Sequence, residues 1–326
     1  MTQNKPLSTL CTYLFDKLGF VDHFGLDAEK LMRYFTVVER GYDKGNPYHN
    51  RAHAASVLHL MHALLENGGV LDNVVSALGG TTGHLERMAC LVAAAVHDYD
   101  HPGVTNDFLV KTGDERALLY NDLHVNEQHH VSAAFRLLSR PDCSFLECLP
   151  AEEFKRFRGI VISLILATDM SSGNDITASF KKVLESTESE AGKEKSGFVP
   201  ANSAEATLFL RIAMKCADLS HLGLDWDGHL EWVSCLEKEF FAQGDREKAL
   251  GLSVSFLMDR EKPGASDTQV GFFDFVVLPL VRLFVRAAPR VEPLMLRLEA
   301  NYWRWQGLQA LKDKESARGG ECQKAA

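Results

Sequence analysis

The sequence predicts an all-α fold, and three observations carry that expectation. Apolar residues recur at three- and four-residue steps through several long stretches. The one β-rich run has no partner with matching alternation. Clusters of Gly, Pro, Asn and Asp separate segments of helical length. Apolar residues form 46% of the 326, enough for a large core. The length exceeds the ~100–200 residues usual for one domain. A single domain over 1–326, or several closely fused helical subdomains, is therefore expected.

Taken in order, “LVAAAVHD” closes an apolar helix at His97. The run “GIVISLILATDM” is rich in β-branched residues, but no Asn-Gly or Asp-Gly hairpin links it to a second such run, so it reads as a buried helix. “NSAEATLFLRIAMKCADLS” starts at Asn202 as an N-cap, with Glu205 three residues on, close to a capping box. “HLEWVSCLEKEFFAQGD” and “DFVVLPLVRLFVRA” read as further helices, the second bent at Pro279. The stretch Glu185–Gly197, “ESTESEAGKEKSG”, is polar, charged and free of aromatics; with the two residues after it, it reads as a solvated loop over 185–199. The polar end, 312–326, reads as a flexible tail.

Acidic residues outnumber basic ones 44 to 35, a net charge of −9. Nucleic acid and anionic membrane are poor partners for such a chain. An anionic substrate would need a local attraction such as a metal ion. Seven cysteines without a CxxC, at irregular spacing, argue against a disulfide framework. The first residues, “MTQNKPLSTL”, lack the charged and apolar regions of a signal peptide. No apolar run approaches the ~20 residues needed to span a bilayer. A cytoplasmic location is expected.

Most of the thirteen histidines lie between His49 and His130. In “YHNRAH”, His49 and His53 stand four residues apart, one turn of a helix if both lie on it. “VHDYDH” sets His97, Asp98 and His101 at the end of an apolar helix, and “CADLS” sets Asp218 at the end of another. A buried carboxylate needs a partner, and imidazoles with carboxylates suit zinc, iron, manganese or magnesium. One dication held by His53, His97, Asp98 and Asp218 would satisfy all these groups. Ordinary capping and hydrogen-bonded pairs would satisfy them too, and the residues alone leave both readings open. His59 and His62 read as partly exposed positions, and His23, His84 and His124 match no constellation.

Several segments, in this order, resemble the catalytic domain of the class I cyclic nucleotide phosphodiesterases: “YHNRAHAASV”, “AAAVHDYDHPGVTNDFLV”, “LYNDLHVNEQHH”, “LATDMS”, “CADLS”, “EFFAQGD” and “TQVGFFDFVVLPL”. They run from Tyr48 to Leu280, about seven tenths of the chain. The resemblance implies a compact domain of about three helical subdomains with a binuclear metal site at their junction. It implies zinc on His53, His97, Asp98 and Asp218, and magnesium or manganese touching the protein through Asp98. The implied reaction is hydrolysis of a 3′,5′-cyclic nucleotide to the 5′-monophosphate by a metal-bridging hydroxide. His49 would be the general acid, Glu127 its orienting carboxylate, and His101 and Thr168 would hold metal-bound water.

For the substrate, the resemblance implies that Gln269 bonds the purine edge and that Phe272 and Leu236 clamp its faces. Phe240, Tyr48, Met170, Leu219 and His221 would complete the pocket. Adenine-selective members often carry Asn where this chain has His221, and a Tyr common in the family is replaced by His229. The expectation is cyclic AMP hydrolysis, with cyclic GMP left open. It also implies regulatory domains outside this chain. Two other readings are a different His-Asp metal phosphohydrolase acting on nucleotides, and a cyclic nucleotide sensor without catalysis.

Overall fold

The computed structural model describes residues 5–75, 77–78, 83–190 and 197–324. All regular structure among them is helical. In chain order the helices are α1 (Pro6–Lys17), α2 (Phe20–Phe24), α3 (Ala28–Gly41), α4 (Arg51–Glu66), α5 (Val70–Val74) and α6 (His84–Val96). There follow α7 (Asn106–Thr112), α8 (Glu115–Leu119), α9 (Val125–Leu138), α10 (Ala151–Leu166), α11 (Gly173–Glu190) and α12 (Ser203–Asp218). The last are α13 (Trp226–Ala249), α14 (Gln269–Phe272), α15 (Leu278–Ala287) and α16 (Glu292–Lys324). The chain packs as two compact units, where the resemblance implies about three: residues 1–220 with 283–291, and residues 221–282 with 292–326.

In the first unit, α6 packs on α4, α10 and α12, and α12 packs on α4 and α10. Helix α6 is central: Met88 through Val96 are each at most 1% exposed, so it is apolar on every side rather than along one stripe. Helix α12 starts as the sequence predicts. The Asn202 side chain accepts from the N–H groups of Ala204 and Glu205, and Glu205 accepts from the Ala201 N–H. Its Phe209 sits in a cluster with Phe180, Phe198 and Phe284, stacked on Phe180 with ring centroids 5.4 Å apart. In the second unit, Asn301 of α16 donates to the carbonyls of Leu222 and Leu224, and the Tyr302 hydroxyl donates to Asp274. A π-helical turn at Phe273–Val277 sits just ahead of Pro279, where the missing N–H disturbs the helical ladder.

Two segments differ from expectation. Helix α11 continues to Glu190, so residues 185–190 are helical and not loop; the Lys181–Glu185 pair four residues apart supports its last turns. Residues 191–196 of that expected loop lie outside the described residues, and Phe198 beyond them is buried. The expected tail is instead the end of α16, helical to Lys324, because its Lys, Glu, Ala and Gln are strong helix formers; residues 325–326 lie outside the described residues. The six cysteines described are all free. No helix is long and apolar enough to cross a membrane among the described residues.

Phe209→Ala should lower unfolding stability by ~3–5 kcal/mol, the usual cost of emptying a buried aromatic site. Urea denaturation measures this, and a loss below ~1 kcal/mol would show that the cluster does not hold α11 and α12 together.

Candidate active site

Asn50 starts the site. Its side-chain oxygen caps α4 by accepting from the N–H groups of Ala52 and His53, and its amide donates to the carbonyls of Asn46 and Pro47. The helix therefore begins at Arg51. His53 is inside it, but His49 lies in the turn before it, so the four-residue spacing is not one helical turn. The two rings stand nearly perpendicular, at 80°, with centroids 5.9 Å apart.

His97 caps the C-terminal end of α6 and its Nδ1 lies 3.0 Å from the Ala94 carbonyl. A carbonyl only accepts, so the Nδ1–H donates and the Nε2 lone pair faces inward. There it meets Nε2 of His53 at 3.2 Å and Oδ1 of Asp218, at the end of α12, at 3.2 Å. Nε2 of His53 is 3.1 Å from the same Asp218 oxygen. Oδ2 of Asp98 approaches to 3.4 Å from His53 and 3.1 Å from His97, yet it is buried without a properly directed hydrogen bond. Four ligands each ~2.0–2.1 Å from a tetrahedral ion would be about 3.3 Å apart. The five separations given match that spacing, and two imidazoles with two carboxylates are a donor set for a divalent metal. The fit is good.

Electrostatics agree. Burial favours the neutral form of Asp98, but the His97 and His49 charges override it and hold its carboxyl well below the usual range. Burial works against charge on His97 as well, yet Asp98 and Asp218 lift its imidazole well above the ordinary value. Asp218 is likewise held low against burial by His53 and His97. Protons and a cation therefore compete for the same lone pairs.

Around this core, His101 is buried and stacks on His49, with centroids 4.0 Å apart and planes 21° apart. Its Nδ1 accepts from the Gly103 N–H, and burial together with His49 keeps it neutral. The Asn46 amide donates to the carbonyls of both His49 and His101, at 3.2 and 2.8 Å. Gly103, at φ +70°, leaves room for it: a Cβ there would lie 2.5 Å from the Asn46 oxygen. Tyr48 is buried beside His53, with ring centroids 4.8 Å apart. Thr168, just past α10, is buried and donates to the Ile165 carbonyl. Glu127, in the first turn of α9, accepts from Asn106, and burial and the nearby Asp169 push its carboxyl up to about 7. Met170 is half exposed and Leu219 caps α12.

The chain matches the family model described as 3′5′-cyclic nucleotide phosphodiesterase over residues 48–298. It belongs to that family. It is 38% identical to the dual specificity calcium/calmodulin-dependent 3′,5′-cyclic nucleotide phosphodiesterase 1 of Drosophila melanogaster, over 82% of this chain and 30% of that protein. It is 34% identical to the high affinity cGMP-specific 3′,5′-cyclic phosphodiesterase 9A of Mus musculus, over 90% of this chain and 51% of that protein. The chain thus spans about a third to a half of the length of these relatives. Its fold matches the phosphodiesterase domain of a Salpingoeca rosetta rhodopsin phosphodiesterase, with a TM-score of 0.84 at 30% identity over 96% of this chain and 90% of that one.

As a phosphodiesterase-family chain, its second unit carries the residues expected to meet the base. Leu236 and Phe240 are half-buried one turn apart on α13, and Phe272 is half-buried in α14. The buried Gln269 amide donates from Nε2 to the Ala265 carbonyl at 2.9 Å. Its Oε1 is buried and has no hydrogen-bond partner among the described residues. The Trp305 indole N–H donates to Nε2 of His229 at 2.8 Å, and burial lowers His229 to about 4. A neutral His229 therefore carries its proton on Nδ1, which faces Nδ1 of His221 at 3.3 Å.

Sequence reasoning missed Asn46, which stands in a turn with no periodic pattern, and Lys215, buried on α12 with its ammonium on the Ala167 carbonyl at 3.1 Å. It also read His124 as unmatched, whereas His124 Nδ1 lies 2.6 Å from Oδ2 of Asp169. Asp169 follows Thr168 directly and was available as a signal. His23 and His84, also read as unmatched, stack on each other at 4.3 Å.

Glu127 sets a pH test. Its folded-state value of about 7 lies above the ordinary 4.5, so its contribution to stability is full below about pH 4.5 and is lost as pH rises through 7. In chelator-treated protein, Glu127→Gln should remove this loss and gain on the order of 1–2 kcal/mol over the parent between pH 5 and pH 8. Equal pH dependence of Tm in the two proteins would contradict the assignment.

Proposed function

We propose that this chain hydrolyses 3′,5′-cyclic nucleotides to 5′-monophosphates, with His49 as general acid. The observation that carries the reading is the convergence of His53, His97, Asp98 and Asp218 at tetrahedral spacing beside a His49 that belongs to no helix. Zinc on those four residues, with magnesium or manganese beside Asp98, would supply charge neutralisation for the phosphate and an activated water. The protein's own groups do the rest.

Cleavage leaves the 3′ oxygen with a negative charge, and a proton must reach it. Imidazole is the side chain whose ordinary titration lies nearest working pH. His49 is set for that task by the Asn46 grip on its backbone and by the neutral His101 ring against its face, while Glu127 is the carboxylate assigned to orient it. His101 and Thr168 are assigned to water positions near the metals. For the base, Gln269 presents its unpartnered oxygen, and Phe272 and Leu236 clamp the ring. In an acidic chain a local attraction such as this metal pair draws in a cyclic phosphate. Its free cysteines fit a reducing, cytosolic setting.

His221 stands where the resemblance puts Asn in adenine-selective members, so it bears on base choice. We read the chain as acting on cyclic AMP and also on cyclic GMP.

Initial rates on both nucleotides, with chelator and with magnesium restored, test the activity. No turnover of either with zinc and magnesium present would end the reading. His49→Ala should lower kcat by about 10²–10⁴-fold with metal content unchanged. Asp218→Ala should lose both metal and activity, so equal metal loss in the two variants would show that the roles are divided wrongly. His221→Asn should lower the cyclic GMP to cyclic AMP ratio of kcat/KM, and an unchanged ratio would remove His221 from base choice.

A further inference from the structure

His124 occupies a costly backbone position for a use that its own helix does not explain. It is the N-cap of α9, in the left-handed region at φ 47° and ψ 48°, which a residue with a side chain seldom adopts. N-cap side chains usually bond the first N–H groups of their own helix. This one makes no such bond. Another group serves there: Oδ1 of Asn106 accepts from the Asn126 N–H at 2.8 Å. The imidazole reaches instead to the corner after α10, where its Nδ1 meets Oδ2 of Asp169 at 2.6 Å.

Asp169 is itself tied down. Its Oδ1 accepts from the Ser171 N–H at 2.7 Å, and its carbonyl accepts from the Ser172 hydroxyl at 3.0 Å. The corner is held on its other side by Lys215, whose ammonium donates to the Ala167 carbonyl. Thr168 lies between these two anchors. Three residues past His124, the Glu127 carboxylate comes within 4.8 Å of the ligand-type atoms of both His124 and Asp169. The His124–Asp169 bond thus bridges two segments that carry Glu127 and Thr168, and those segments are otherwise remote in sequence.

We propose that His124 is a positioning residue: its bond to Asp169 latches the first turn of α9 to the corner after α10 and so fixes Glu127 and Thr168 relative to each other. This rests on the roles given to those two residues under the proposed function. The latch acts through geometry and touches neither substrate nor metal. Strained backbone conformations persist where surrounding contacts over-determine them, and they gather at functional sites. A left-handed N-cap aims the side chain across to the neighbouring corner and away from the helix it begins.

The backbone conformation dictates the variants. His124→Gly accepts φ +47° without strain and removes only the side chain. His124→Asn also tolerates the left-handed region and keeps a donor for Asp169. In His124→Gly, amide hydrogen exchange at Ser171 and over the first turn of α9 should quicken by about tenfold. Its kcat should fall by about tenfold, with KM and metal content near the parent values. His124→Asn should recover most of both losses. Unchanged exchange in His124→Gly, parental kcat despite faster exchange, or an Asn variant as impaired as the Gly variant would each overturn the latch. If the parent chain turned over no cyclic nucleotide, the proposed function would fall, while the exchange measurement would still decide whether the bond joins the two segments.

Discussion

The first unit is organised around one electrostatic constraint. Two imidazoles and two carboxylates are held with their ligand atoms within 4.8 Å of one another in a largely buried place. Such groups repel unless something positive lies among them, and isolated buried charge is among the most expensive things a fold can contain. Protons can serve, as the raised His97 and lowered Asp98 and Asp218 show, and a divalent metal serves better. Helix α6, which ends at His97, is buried along almost its whole length. Its apolar packing supplies stability that sustains the concentration of charge.

Around that centre, histidines are used in two different ways, and backbone or indole partners set which. A carbonyl on Nδ1 of His97 turns its Nε2 lone pair toward the ligand cluster. An N–H on Nδ1 of His101 does the opposite, leaving that ring neutral with its proton on Nε2, stacked on His49. In the second unit an indole N–H sets His229. In each case the chemistry of the ring is decided by the partner of its other nitrogen. Asn46 adds a shared grip, since one amide holds the backbone of both His49 and His101.

Much of this was legible in the chain. The helices α6, α10 and α12 show in apolar spacing, the Asn202 cap shows in its local pair with Glu205, and the ligands stand where the apolar runs of α6 and α12 end. These signals are local, spanning a few residues, and helix periodicity and capping are themselves local physics. Where local rules compete, sequence pattern and structure part. The polar run after Glu185 looked like loop, although Glu, Ser and Thr extend a helix already begun. The four-residue step from His49 to His53 looked helical, although Asn50 starts the helix between them.

What the sequence determined by itself was the all-α class, the placement of ligand-type residues at helix ends, and the motifs shared with a phosphodiesterase family. What tertiary structure decided was which of those residues meet. His53 and Asp218 stand 165 residues apart, His97 and Asp218 stand 121 apart, and His124 meets Asp169 across 45. No pattern within one segment encodes a distance between two segments. Nor can it say which nitrogen of an imidazole keeps its proton, because that is set by whatever group the folded chain brings against the other nitrogen.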